Sequence, residues 1–203
     1  RALNYHGVWP MGFIFPLGNL EGSPDLDHLD TLHLAIDPSP QSLQKILRKL
    51  PSVRRLKCME RWNSSREATR NCNEILEFDG LSQLESLHLF RFHGCGFKFP
   101  LNLKKLVLSH NRQPWSEIST IGKLPNLEVL KLLDRCFVGE EWEMKEGEFP
   151  KLRVLKLRGL WDFCSWTASF DNFARPEKLV VHSCRNLEEL PSCLGECPTL
   201  AMI

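Results

Sequence analysis

The run Leu124-Pro-Asn-Leu127-Glu-Val-Leu130-Lys-Leu132 spaces its leucines three, three and two residues apart. A plain amphipathic helix would keep a period of 3.6 and a plain strand a period of 2; this run steps in threes and then alternates. The same spacing returns at Leu26-Leu29-Leu32-Leu34, Leu81-Leu84-Leu87-Leu89 and Phe149-Leu152-Leu155-Leu157. Weaker copies are Leu50-Val53-Leu56-Cys58, Pro100-Leu103-Leu106-Leu108 and Phe173-Pro176-Leu179-Val181. From the second anchor of each, successive copies lie 24, 31, 19, 24, 25 and 24 residues apart, and an eighth opens at Cys197-Pro-Thr-Leu200.

Recurrence of this run is the leucine-rich-repeat pattern. It predicts an α/β repeat solenoid, a horseshoe with a parallel β-sheet on the concave side and an irregular or short-helical convex side. Residues 26–203 read as about seven repeats plus a truncated eighth, and residues 1–25, with Val8-Trp9-Pro10 and Phe13-Ile14-Phe15-Pro16, as a degenerate preceding repeat. Such arrays need caps because one repeat cannot bury its apolar face alone. Neither Arg1 nor Ile203 opens or closes one, so the chain reads as a fragment of a longer protein.

The connectors differ in what they allow. Leu43, Ile46, Leu47 and Leu50 follow Ser39-Pro40 at helical spacing and predict one or two helical turns. The long step contains the polar stretch 61–73, read as an inserted loop. The short step has only His93-Gly-Cys-Gly-Phe-Lys-Phe-Pro100, with glycines for a turn and no room for a helix. Trp115, Trp142, Trp161 and Trp166 all fall in connectors and are expected to pack the convex side, and the glutamate-rich segment 139–148 reads as a solvated loop. Three residues after the second strand leucine, a side chain should turn inward and bond the backbone of the next coil. Asn111 and Cys184 suit that place, whereas Phe92, Arg135 and Leu160 make the ladder irregular.

Net charge is +1, from 26 basic and 25 acidic residues, without the basic excess of a bulk nucleic-acid binder. The eight cysteines include no C-x-x-C pair and read as reduced core thiols, which points to the cytoplasm; the sequon Asn63-Ser64-Ser65 points the other way. No apolar run is long enough to span a membrane. His88, His93 and Cys95 lie close together without zinc-ligand spacing. No nucleophile elbow, carboxylate pair or metal signature occurs, so the chain is not expected to be an enzyme.

Pro114-Trp115-Ser-Glu-Ile-Ser-Thr-Ile-Gly-Lys-Leu-Pro-Asn-Leu-Glu-Val-Leu-Lys-Leu132 is the most telling stretch, followed by Gly139-Glu-Glu-Trp142-Glu, Phe149-Pro-Lys-Leu-Arg-Val-Leu155-Lys-Leu157 and Cys184-Arg-Asn-Leu-Glu-Glu-Leu-Pro191. With these, the chain resembles the leucine-rich-repeat domain of plant intracellular NLR disease-resistance proteins, in the coiled-coil subclass and the late-blight-resistance group of the nightshade family. The likeness is close over residues 81–203 and loose before them. It departs at Arg135, where relatives tend to have asparagine, and at Pro176-Glu-Lys, where a leucine would lead the strand. The resemblance implies a protein-recognition and autoinhibition module of a plant innate immune receptor. Its partners would be a pathogen effector, or a host protein altered by one, and in cis the receptor's own nucleotide-binding domain. No cofactor is expected in this fragment; ADP or ATP would sit in the nucleotide-binding domain of the full-length protein.

Residues flanking the two strand leucines should point to the concave face. The basic ones are Arg54, Arg55, Lys57, Arg91, Lys104, Lys105, Lys131, Arg153, Lys156, Arg158 and Lys178. They outnumber the acids Asp30, Glu60, Glu85, Glu128, Asp134 and Glu177. Phe90, His110, Leu133 and His182 complete the expected protein-binding surface as its apolar centre. Acidic proteins fit it better than nucleic acid, because acids are interleaved and the tryptophans lie elsewhere. The competing reading is the substrate-recognition repeats of an F-box ubiquitin ligase, which would use the same face. A receptor-kinase ectodomain would need a more regular repeat and more sequons.

Overall fold

The computed structural model describes residues 15–16, 29–36, 40–60, 75–172, 176–197 and 200–202. The polar stretch 61–73, its sequon and most of residues 1–25 lie outside them. One parallel, nine-stranded sheet organises the described chain. Its strands are β1 (Phe15–Pro16), β2 (Thr31–Ile36), β3 (Arg55–Glu60), β5 (Ser86–Phe90), β7 (Lys105–Ser109), β9 (Val129–Leu133), β12 (Val154–Arg158), β14 (Lys178–His182) and β15 (Ala201–Met202). They lie side by side in chain order, so each coil stacks on the one before it. The fold is the repeat solenoid that the leucine spacing predicts.

Register follows the leucines. Leu32, Leu56, Leu87, Leu106, Leu130, Leu155 and Leu179 form one inward row. Leu34, Cys58, Leu89, Leu108, Leu132, Leu157 and Val181 form the next. All are buried except half-buried Val181, and each fully buried one contributes roughly 1.5–3 kcal/mol. Pro176 keeps its coil in place although it replaces a leucine. It is buried, no ladder bond needs its missing N–H, and the next two amides, Glu177 and Lys178, both donate to the Arg153 carbonyl at 2.8 and 3.0 Å.

Each central strand ends on a left-handed residue two places after its second inward side chain: Arg91 (φ 66°), His110 (φ 56°), Asp134 (φ 44°), Gly159 (φ 65°) and Ser183 (φ 57°). This turns the chain away from the sheet while its N–H still reaches the next coil, as from Gly159 to the His182 carbonyl at 3.0 Å. Asp134 is followed by a second left-handed residue, Arg135 (φ 54°). The extra step moves the inward place on by one, so Cys136 is fully buried there and Arg135 is exposed, correcting the expected assignment.

Asn111 also departs from expectation. It is fully buried, but neither side-chain atom bonds a described residue. Its neighbour Gln113 takes over the role, donating from Nε2 to the Phe92 and Cys95 carbonyls of the preceding coil at 3.3 and 2.9 Å. Asn126 likewise donates to the Leu101 carbonyl at 3.0 Å, and buried Asn172 donates to the Lys145 carbonyl at 2.5 Å. Side-chain amides therefore do bridge the coils, from other positions.

The convex side is short strands and turns. Helix α1 (Pro40–Leu47) forms where predicted and buries Leu43, Ile46 and Leu47. Helices α2 (Ile118–Gly122) and α3 (Ser192–Gly195) are single turns. Between them run the outer pairs β4 (Ile75–Glu77) with β6 (Gly96–Lys98), β8 (Gln113–Pro114) with β10 (Phe137–Val138), and β11 (Glu141–Glu143) with β13 (Ser165–Thr167). The glutamate-rich segment is thus partly an outer strand, not wholly a loop. Its last residue, Glu148, is buried and accepts from the Lys145 N–H at 3.0 Å.

A stack of indoles fills three consecutive coils. Trp115 and Trp142 lie 5.1 Å apart at 10°, and Trp142 and Trp166 lie 5.2 Å apart at 5°. Phe137 and Phe163 flank Trp115 at 4.7 and 4.8 Å. These bulky rings occupy the volume that a convex helix would otherwise fill. Trp161 is the exception to the expected convex packing: it is 51% exposed, with the Arg135 guanidinium 4.1 Å from its ring centroid.

Candidate protein-binding face

Charge on the concave side sorts into three bands running across the strands. The first is the residue just after the leading anchor of each coil. Asp30, Arg54, Glu85, Lys104, Glu128, Arg153 and Glu177 alternate in sign from one coil to the next. Lys104 bonds Glu85 at 3.1 Å, and Arg153 reaches Glu177 at 2.6 Å and Glu128 at 3.6 Å. Asp30 is met by Arg55 at 3.0 Å, one place along from Arg54. The Arg153 guanidinium is held above its ordinary pKa by the hydrogen bond and charge of Glu177, then by Glu128. Beneath the side chains, the carbonyls of Asp30, Arg54, Glu85, Lys104, Glu128 and Arg153 each accept two amides from the next coil, as Asp30 does from Arg54 and Arg55, both at 2.9 Å, and that of Glu177 accepts one, from Ala201 at 3.0 Å. This band is a self-neutralised rail. Its alternation is visible in the sequence once the anchors are aligned, but a net count of the face hides it.

The second band is the outward row at the middle of the strands. His33, Lys57, His88, Val107, Lys131, Lys156 and Val180 align across β2 to β14. Lys105 and Lys178 stand one row earlier, on β7 and β14. No carboxylate belongs to this row. Lys131 is pushed below its ordinary pKa by burial and then by Lys105, Lys156 and Lys178. His88 is lowered from 6.5 to about 4 by burial, then by Lys57, Lys105, His33 and Lys131. His33 is lowered by burial and Lys57. Among the described residues, Lys105, Lys131, Lys156 and Lys178 enter none of the ion pairs.

The third band is the rim where the strands end. Phe90 faces it but is buried, against His110 at 5.1 Å and under the Arg91 guanidinium at 5.1 Å, so it is a support and not an exposed apolar centre. Leu133 and His110 are half-buried and His182 is exposed. Burial first, and then Arg91, Arg135 and Arg158, keep His110 below its ordinary pKa against the opposing pull of Asp134. Arg158 is paired with Asp134. The structure therefore brings the expected residues to one face but divides them. Arg55, Lys104, Arg153 and Arg158 are committed to neighbouring carboxylates, while Lys105, Lys131, Lys156 and Lys178 are not.

Among the described residues no group of three or more His, Cys, Asp or Glu converges as a metal site. The described cysteines are free thiols, and burial raises those of Cys58 and Cys136 well above the ordinary range. No helix among the described residues is long and apolar enough to cross a membrane.

No protein-family model matches the chain. Similar proteins include three putative late blight resistance protein homologs of Solanum demissum. R1B-13 is 35% identical over 192 residues, 91% of this chain and 16% of the relative. R1B-16 is 35% identical over 196 residues, 91% of this chain and 14% of the relative. R1A-4 is 34% identical over 194 residues, 91% of this chain and 15% of the relative. The chain thus spans about one seventh of the length of these relatives. Nearly its whole length aligns with them, and its fold is the repeat solenoid on which the resemblance rests; the chain is a leucine-rich-repeat segment homologous to part of the late-blight-resistance class of plant disease-resistance proteins.

Proposed function

We propose that this segment is the recognition module of a cytoplasmic plant immune receptor. Its concave sheet would engage a pathogen effector, or a host protein modified by one, and at rest would contact the receptor's own nucleotide-binding domain. The observation that carries this reading is the joining of two facts. The relatives are named as resistance proteins, and the face that a solenoid offers to partners carries Lys105, Lys131, Lys156 and Lys178, which enter none of the ion pairs among the described residues. Both tasks are surface binding, which needs no catalytic group.

The test is transient expression in leaves of the longer protein that contains this chain, as wild type and as Lys131→Glu/Lys156→Glu. Lost response to the cognate pathogen, or cell death without it, is the expected result. A variant that accumulates normally and is unchanged in both respects overturns the reading. Arg153 and Arg158 are poor probes, because reversing them would break pairs with Glu128, Glu177 and Asp134 as well as any partner contact.

A further inference from the structure

We infer that the lysine row is a docking strip for an acidic stretch of polypeptide, gripped by Lys105, Lys131, Lys156 and Lys178. The inference rests on the reading above for the choice of face and adds the chemistry of the occupant. The four lysines come from four consecutive strands of the sheet, β7, β9, β12 and β14. Three inter-strand spacings of about 4.8 Å set the strip at about 14 Å long, which four or five residues of extended chain would cross. Within it the ammonium groups repel one another, and at Lys131 burial has already removed part of the hydration. An anion laid along the row relieves both.

The flanks select the kind of anion. On one side the rail presents Glu85, Glu128 and Glu177; on the other stands Asp134. A phosphate backbone, charged at every unit and wide, would extend beyond the lysines onto flanks whose charges are already paired. A polypeptide places carboxylates where the lysines are and neutral residues beside the flanks. Nucleic acid bound as a single strand would also want exposed rings for its bases to stack on. Phe90 is buried, and Trp161, although half exposed, has one face under Arg135 and lies in the connector between β12 and β13, outside the strip. The row offers lysines, compact point charges without the fork that favours paired phosphate oxygens. A small polyphosphate would need charges gathered around a pocket; these are spread over four strands of an open sheet, in two adjacent outward rows.

The experiment is fluorescence anisotropy with the purified chain and three labelled probes: an alternating Glu-Ala decapeptide, its Gln-Ala counterpart and an oligothymidine of equal length. The Glu-Ala peptide should bind, weaken as salt is raised, and lose about tenfold in affinity in both Lys131→Glu/Lys156→Glu and Lys131→Gln/Lys156→Gln. Lys123→Glu, exposed at the end of α2 away from the sheet, should bind as wild type does. Unchanged affinity in both double variants overturns the inference, as does oligothymidine bound as tightly as the peptide or equal weakening by Lys123→Glu. Loss of peptide binding in variants whose resistance response in leaves stays normal upholds the docking strip and overturns the proposed function instead.

Discussion

Acidification should destabilise this solenoid through His88, by an amount that its surroundings fix. The imidazole sits on β5 in the outward row. Burial and then Lys57 on β3, Lys105 on β7, His33 on β2 and Lys131 on β9 hold its pKa down, from 6.5 to about 4. The unfolded chain takes up that proton near pH 6.5 and the folded one resists until near pH 4. Between those values the unfolded state binds more protons, so stability is full above the upper one and falls as pH drops toward the lower. A shift of this size corresponds to about 3 kcal/mol at 1.36 kcal/mol per unit, which the partial exposure of the ring reduces to about 2 kcal/mol. His33 and His110 are lowered too and act in the same direction. Urea unfolding of wild type and His88→Gln from about pH 7.5 to about pH 4.5 isolates the residue, because the carboxylates titrate alike in both. The variant's stability relative to wild type should rise by about 2 kcal/mol across that range. A pH-independent difference would refute the reasoning, and so would a nuclear magnetic resonance titration midpoint for His88 near the ordinary 6.5.

Two substitutions test the coil packing. Trp142→Ala removes the middle ring of the stack and should cost about 3–5 kcal/mol in urea unfolding, whereas Trp142→Phe should cost far less, because the indole N–H it deletes has no partner. Equal losses from the two would show that the stack is not what the indole contributes. Gly159→Ala should destabilise by about 1–2 kcal/mol, since its φ is 65° and an added Cβ would stand 2.8 Å from Asp134 Oδ1 and 3.3 Å from its Cα. Gly195→Ala, with nothing within 4 Å of the new carbon, is the control and should be close to neutral.

Sheet order and inward rows were legible because a parallel solenoid repeats one physical problem, the burial of two strand leucines, in every coil. The concave face was legible for a related reason: alternation in a strand fixes which residues point outward. Four things were not. The inward place moved to Cys136 because two consecutive residues, Asp134 and Arg135, adopt left-handed backbone, and neither is a glycine or asparagine that would announce it. Bridging amides moved to Gln113, Asn126 and Asn172 because any amide of the right reach can bond a neighbouring coil's carbonyl. Phe90 was assigned to the exposed centre from its strand position, but Arg91 and His110, projected from the turns beyond the strands, close over it. A count of charges groups Arg153 and Arg158 with Lys105, Lys131, Lys156 and Lys178, because it does not register which of them meet carboxylates.

The same sheet shows why a like-charged row has no structural explanation here. In a solenoid each coil adds one residue to each column, so the sign pattern down a column is a free variable of the sequence. An alternating column stitches coils together, and the rail does so with exposed pairs that contribute about 0–1 kcal/mol each. A column of one sign does the reverse: unit charges about 6 Å apart repel by about 0.7 kcal/mol even at the dielectric constant of water. Lys131 beside Lys156, with Lys105 and Lys178 within electrostatic reach, therefore works against the fold by roughly what a rail pair contributes to it. Hydrophobic burial in each coil is large enough to carry that cost, so the row is tolerated, but nothing in the chain requires it. Polar or alternating residues would fill the same outward positions and leave the coils more firmly joined. On the docking inference, opposite charge on an acidic partner is the property that would turn this cost into a gain, and the two Lys131/Lys156 double variants measure it.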